Sequence, residues 1–161
     1  MKAIVAMSRN RCIGLNDKLP WPPIKEDFKW FKEFTLDKTI VIGKKTFDSL
    51  PKLKDRDCIV LIKPQPELSH IKNQYFINNN GMTSKMMSFE EIINLPNTNE
   101  LIVAGGAKTY NKFLPYIKEF YVTHINDAYP GDTYMPHFEH LFNNFELVKE
   151  FDGHKVIKYT K

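Results

Sequence analysis

Residues 39–51 read Thr-Ile-Val-Ile-Gly-Lys-Lys-Thr-Phe-Asp-Ser-Leu-Pro, and they carry the reading of the fold. Thr39 to Gly43 predict a buried strand, because the apolar run is short, β-branched and free of alternation. Lys44 to Leu50 predict a short helix, which Pro51 stops because its ring cannot continue the helical backbone. Toward the C-terminus the same order recurs: Leu101-Ile102-Val103-Ala104 as a strand, the turn Gly105-Gly106, then a helix to about Leu114. Toward the N-terminus, residues 2–8 predict a strand buried on both faces and residues 24–36 an amphipathic helix. Residues 58–62 and 119–125 supply two more strands. Ser88-Phe89-Glu90-Glu91 is a capping box, starting a helix that runs to about Leu95 and ends at Pro96. Strands alternating with helices indicate an α/β domain with a mostly parallel sheet. After residue 125 the helices stop, and residues 145–151, Asp152-Gly153 and residues 155–159 read as a hairpin with a tight turn. The expected architecture is a twisted, mostly parallel central sheet with an antiparallel C-terminal edge strand and helices on both faces. Residues 9–23 read as a long loop. Within residues 63–87 only Tyr75-Phe76-Ile77 suggests a strand, and the rest is left unassigned.

One domain accounts for all 161 residues, so residues 1–161 are read as a single unit. The chain is 42% apolar and 13% aromatic, enough for a sizeable core and unlike a disordered composition. No apolar run nears the ~20 residues of a membrane span. The opening apolar run is cut by Ser8-Arg9-Asn10-Arg11, too soon for an export signal. Two cysteines, Cys12 and Cys58, make no disulfide framework and fit a reducing compartment, so a cytoplasmic protein is expected. The net charge of +4 favours an anionic partner but is too small to argue for nucleic acid. His137 and His140 lack a third ligand nearby, and no metal site is expected.

On helix 24–36, a turn of about 100° per residue gathers Lys25, Glu26, Lys29, Lys32 and Glu33 on one side. Ile24, Phe28, Trp30, Phe31 and Phe34 take the other, and Asp27 falls among them as the only charge. A carboxylate among aromatics is costly to bury without a partner. Either it is a structural group bonded to a neighbouring strand, or it is an acid of raised pKa that holds a proton for a ligand. Two strand-to-helix junctions also stand out, Gly43-Lys44-Lys45-Thr46 and Gly105-Gly106-Ala107-Lys108. Glycines admit a ligand to the backbone and helix starts attract anions, whereas lysine is disfavoured there by the dipole. A bound phosphate would offset that repulsion. Solvated lysines beside tight turns would explain the same residues, and neither junction is a Walker loop.

Taken together, the ordered blocks resemble the dihydrofolate reductase family over nearly the whole chain. The blocks are Ile13-Gly14, Leu19-Pro20-Trp21-Pro22-Pro23, Asp27 with Phe28, Trp30 and Phe31, Ile42 to Leu50, Arg56, Val103 to Ala107, Tyr110, Thr123-His124-Ile125 and Gly131-Asp132-Thr133. The resemblance implies that Asp27 is the sole ionisable group at the pterin ring, promoting N5 protonation through water while NADPH delivers hydride to C6. Leu19 and Trp21 are implied catalytic positions on a mobile lid, residues 9–23, which Asp132 helps to hold closed. The implied substrate contacts are Ile4, Ala6, Phe28, Phe31, Leu50, Leu53 and Ala104. Thr123 would support Asp27, and Arg56 would pair with the α-carboxylate of the glutamate tail. Cofactor contacts are implied for Ala6, Ile13 and Gly14, and for Gly43, Lys44, Lys45 and Thr46. They are also implied for Gly105, Gly106, Ala107, Lys108, Thr109 and Tyr110, with Lys44 and Lys63 the implied cations for the 2′-phosphate and Ile62 beside Lys63. Dihydrofolate and antifolate inhibitors are the implied small-molecule partners of a monomer that supplies one-carbon metabolism, with no nucleic-acid or membrane partner.

This chain departs from the family pattern at three positions: Ile62 replaces a hydroxyl residue, Ala104 a larger aliphatic and Ala107 a third glycine. Two other functions fit the same residues less well. A same-fold reductase acting on a riboflavin-pathway pyrimidine would not call for Asp27 and Arg56. A folate-binding protein without catalysis would not need both Asp27 and the Gly105-Gly106 turn.

Overall fold

The computed structural model describes residues 1–64, 66 and 75–161, so part of the unassigned stretch 63–87 lies outside the described residues. In chain order the strands are β1 (Lys2–Met7), β2 (Cys12–Gly14), β3 (Thr39–Gly43), β4 (Asp57–Leu61), β5 (Tyr75–Ile77) and β6 (Thr83–Met87). They continue as β7 (Ile102–Val103), β8 (Glu119–Ile125), β9 (Thr133–Tyr134), β10 (Asn144–Phe151) and β11 (His154–Thr160). The helices are α1 (Lys25–Thr35), α2 (Lys44–Ser49), α3 (Phe89–Ile93) and α4 (Ala107–Phe113). Nine strands form one sheet in the order β10-β11-β8-β1-β7-β3-β4-β6-β5. The run from β8 to β6 is parallel, and β11 and β10 close one side antiparallel.

Strand alternation sorts the apolar residues into two cores. Val5, Val41, Ile59 and Val103 face one side, where Ile92 of α3 and Phe113 of α4 pack on them. Ile4, Ile40, Ile42, Cys58 and Val60 face the other, against Trp30 of α1 and Phe47 of α2. Helices therefore cover both faces, which is why the parallel strands read as continuous apolar runs. The capping box is present in full: Glu91 N–H donates to Ser88 Oγ, and Ser88 N–H donates to Glu91 Oε2 at 2.7 Å. Its helix stops at Ile93, two residues before the predicted end.

Three elements depart from the sequence reading. The loop 9–23 contains β2, which pairs with β9. Residues 83–87 form β6, a parallel neighbour of β4, and β5 pairs with it antiparallel, giving the sheet a second antiparallel edge. Thr83, Ser84 and Lys85 hid this strand from an apolar pattern, yet Met82 and Met87 are buried core residues. Phe28 is 49% exposed rather than part of the apolar face. The side of α1 toward the sheet is centred on Asp27, Trp30, Phe31 and Phe34, and Phe28 lies at its margin.

Candidate active site

Asp27 lies in the first turn of α1, where acidic residues complement the helix dipole. Beneath it the register across β1, β8 and β11 aligns Ala6, Thr123 and Val156. Burial raises the Asp27 pKa above the ordinary carboxylate range, and the Thr123 hydroxyl and then His154 oppose that rise. Thr123 Oγ1 is buried and completes no hydrogen bond among the described residues, but it stands close enough to favour the ionised form. An acid held by these opposing effects can exchange a proton with a bound ring.

Ile4 belongs to the same core as Trp30, and Phe31, Leu50, Leu53 and Ala104 pack around its edge, so most of the expected substrate wall is brought together. Phe28 stands exposed on the next position of α1. Ala6 is half-buried on β1. Tyr110 is fully enclosed; its hydroxyl donates to the Ile4 carbonyl at 2.5 Å, and burial, followed by the Asp27 charge, raises its pKa. Arg56 Nε donates to Thr35 Oγ1 at 3.2 Å, which sets the guanidinium at the C-terminal end of α1.

The two glycine junctions pack against each other. Gly43 N–H donates to the Gly105 carbonyl at 2.9 Å. A Cβ on Gly43 would stand 2.8 Å from Thr109 Oγ1, and one on Gly106 would stand 3.1 Å from Thr46 Oγ1. Gly105 has φ +124°, a backbone region that excludes side chains. Ala107 opens α4 in helical conformation, so the missing third glycine is accommodated. Lys63 and Lys108 are exposed. Lys44 pairs with Asp48 at 2.5 Å and lies over the Phe76 ring, and Lys45 pairs with Asp17 at 3.0 Å. Ile62 N–H donates to the Met87 carbonyl, placing it at the end of β4 beside β6.

The 9–23 segment is held from below. Asp132 N–H donates to the Gly14 carbonyl, and Asn16 N–H donates to Asp132 Oδ2 at 2.9 Å. A Cβ on Gly131 would lie 2.2 Å from Cys12 Sγ and 2.4 Å from the Gly14 carbonyl, so only glycine fits there. Ile13 packs against the first core. Trp21 is buried, with its ring edge-on to Tyr129 at 5.9 Å, whereas Leu19 is 41% exposed. The sequence reading passed over Asp17, Tyr129 and His154. The Asp152-Gly153 turn sets His154 opposite Phe151 in the hairpin, but its place opposite Ile125, two residues along β8 from Thr123, comes from the pairing of β11 with β8, which no local signal gives.

A desolvated acid facing an apolar wall, beside paired glycine turns on an open α/β sheet, places the candidate site in the class of α/β ligand-binding clefts. A family model described as dihydrofolate reductase matches residues 1–160. Dihydrofolate reductase type 8 of Escherichia coli is 34% identical over this whole chain and 95% of its own length. The dihydrofolate reductase of Buchnera aphidicola (subsp. Baizongia pistaciae) is 36% identical, covering 96% of this chain and 88% of its own. The fold superposes on that of dihydrofolate reductase from Enterococcus faecalis, solved with NADP(H) and RAB-propyl. That match has a TM-score of 0.76 and 24% identity, covering 99% of this chain and 94% of the other. The chain belongs to the dihydrofolate reductase family.

Proposed function

We propose that this chain reduces 7,8-dihydrofolate to tetrahydrofolate with NADPH, and that Asp27 governs the proton delivered to N5. The carrying observation is Asp27 itself, a carboxyl of raised pKa set against Thr123 in an otherwise apolar wall. NADPH, when bound, supplies the hydride. The chain's residues bind, orient and shield. Phe31, Leu50 and Leu53 would sandwich the substrate rings above Ile4, Ala6 and Ala104, with Phe28 at the mouth and Arg56 on the glutamate α-carboxylate. Gly43, Gly105 and Gly106 offer backbone that carries no side chain, and Thr46, Thr109 and Tyr110 line the same junction.

Lys44, Lys45, Lys63 and Lys108 are the cations available for phosphates. Lys44 and Lys45 would exchange their carboxylate partners for the cofactor. Ile13, Gly14, Leu19 and Trp21 belong to a lid that Asp132 steadies. No helix among the described residues is long and apolar enough to cross a membrane. A cytoplasmic monomer without nucleic-acid partners fits the modest +4 charge.

The deciding experiment follows nicotinamide absorbance with NADPH and dihydrofolate, for wild type beside Asp27→Asn. Rapid loss with wild type, and a drop of about 100-fold or more in the variant that acid pH partly relieves, is expected. A vigorous Asp27→Asn enzyme would remove the proton role. A wild type inert with both nicotinamide cofactors would remove the reductase reading.

A further inference from the structure

The turn between β5 and β6 takes no part in the contacts above, yet it reaches the substrate wall. Asn78 is 8% exposed and its side chain is fully engaged. Its Nδ2 donates to the carbonyls of Phe47 at 2.7 Å and Leu50 at 2.9 Å. Its Oδ1 accepts the N–H groups of Asn80 at 3.0 Å and Met82 at 2.9 Å. Asn80 Nδ2 gives the Leu50 carbonyl a second donor at 2.8 Å. The two carbonyls lie at the C-terminal end of α2, where the Phe47 carbonyl also accepts the Leu50 N–H at 3.2 Å and the Leu50 carbonyl lies past the last helical turn.

From Leu50 the chain continues through Leu53 to Arg56 along a cavity of about 570 Å³, which residues 52–57 border together with residues 81–83. A segment beside a cavity takes its position from its anchored ends. At the far end, Asp37 N–H donates to the Asp55 carbonyl at 2.9 Å and Arg56 reaches Thr35. At the near end the anchor is the asparagine pair. A side chain with two donors and an acceptor serves both the α2 carbonyls and the turn N–H groups; aspartate lacks the donors, and an apolar residue would leave the Asn80 and Met82 N–H groups without this acceptor and the α2 carbonyls with one donor each.

We propose that Asn78, assisted by Asn80, is a positioning residue for the substrate. It fixes Leu50 and the start of the segment leading to Arg56, and so sets the cleft that receives the pterin and glutamate portions. The proposal rests on the assignment of Leu50, Leu53 and Arg56 to the substrate wall.

The test is steady-state kinetics on Asn78→Asp, Asn78→Ala and Asn80→Ala, beside Leu50→Ala, with NADPH affinity measured by fluorescence. Asn80 is exposed, so its variant keeps the question open to test if the Asn78 variants fold poorly. The expected result is a dihydrofolate KM raised about 5–10-fold in the Asn78 variants and about 2–3-fold in Asn80→Ala, with kcat and NADPH affinity within about twofold. If folded Asn78 and Asn80 variants keep the wild-type KM while Leu50→Ala loses it, positioning is overturned and the wall assignment stands. An unchanged KM in Leu50→Ala overturns the wall assignment and this proposal with it. Equal losses in KM, kcat and NADPH affinity would show a general structural defect and also overturn it.

Discussion

At the scale of single residues, Asp27 sets both chemistry and pH dependence. Burial raises its pKa, so the native state holds the proton more tightly than the unfolded chain does. Stability from this group is present below the ordinary carboxylate range and is lost as pH rises through the raised native value. Asp27→Asn should therefore be more stable than wild type at neutral pH. Thermal melts should show that gain vanishing in acid. Thr123→Val removes the hydroxyl that favours the ionised form, which raises the Asp27 pKa further. If the carboxyl governs proton delivery, the rate falls as pH rises through that pKa, and the variant's falling limb should move to higher pH. An unmoved pH–rate profile would show that Thr123 does not tune the acid. Asp27 was legible in the sequence as the one charge within an apolar stripe. Thr123 was named only through the family resemblance and His154 was not named, because both arrive from strands more than 90 residues away and no local pattern joins them to Asp27.

At the scale of elements, glycine positions and caps give sharper tests than strand composition does. Gly131→Ala would drive a methyl group into the Gly14 carbonyl, a backbone atom with no rotamer to escape by. A stability loss of about 1–3 kcal/mol is expected, read from the denaturant midpoint, with weakened cofactor binding through Gly14. Ser88→Ala removes one half of the capping box and should cost about 1 kcal/mol with kcat unchanged, because α3 lies on the face opposite Asp27. The capping box and both strand–glycine–helix junctions were legible because their signals are local. Strand β6 was not. Its side chains are mostly polar or unbranched, and it forms because β4 would otherwise leave a row of unpaired backbone groups. Strands β2 and β9 are similar: too short for any period, they exist only because Gly14 and Asp132 come together.

At the scale of the whole molecule, two cores share one sheet, and each depends on the C-terminal hairpin to finish it. Strand β11 covers β8 along its full length, and Val156 joins the core beneath α1. A chain ending at Asn143 should lose its cooperative thermal transition, as followed by circular dichroism, since β8 would become an open edge with Thr123 uncovered. Retention of a sharp transition would show that the parallel strands suffice alone. The sequence by itself determined the α/β class, the order of the main elements, the acid on α1 and the glycine junctions, since each depends on neighbours within a few turns of chain. Only the tertiary structure decided which strands adjoin, how β5 and β6 extend the sheet, and that Asn78 grips the end of α2. It also decided that Lys45 meets Asp17. Lys45 with Asp17, and Asn78 with α2, join groups separated by long stretches of chain; such contacts follow from the packing of the two cores, and no local pattern of residue types encodes them.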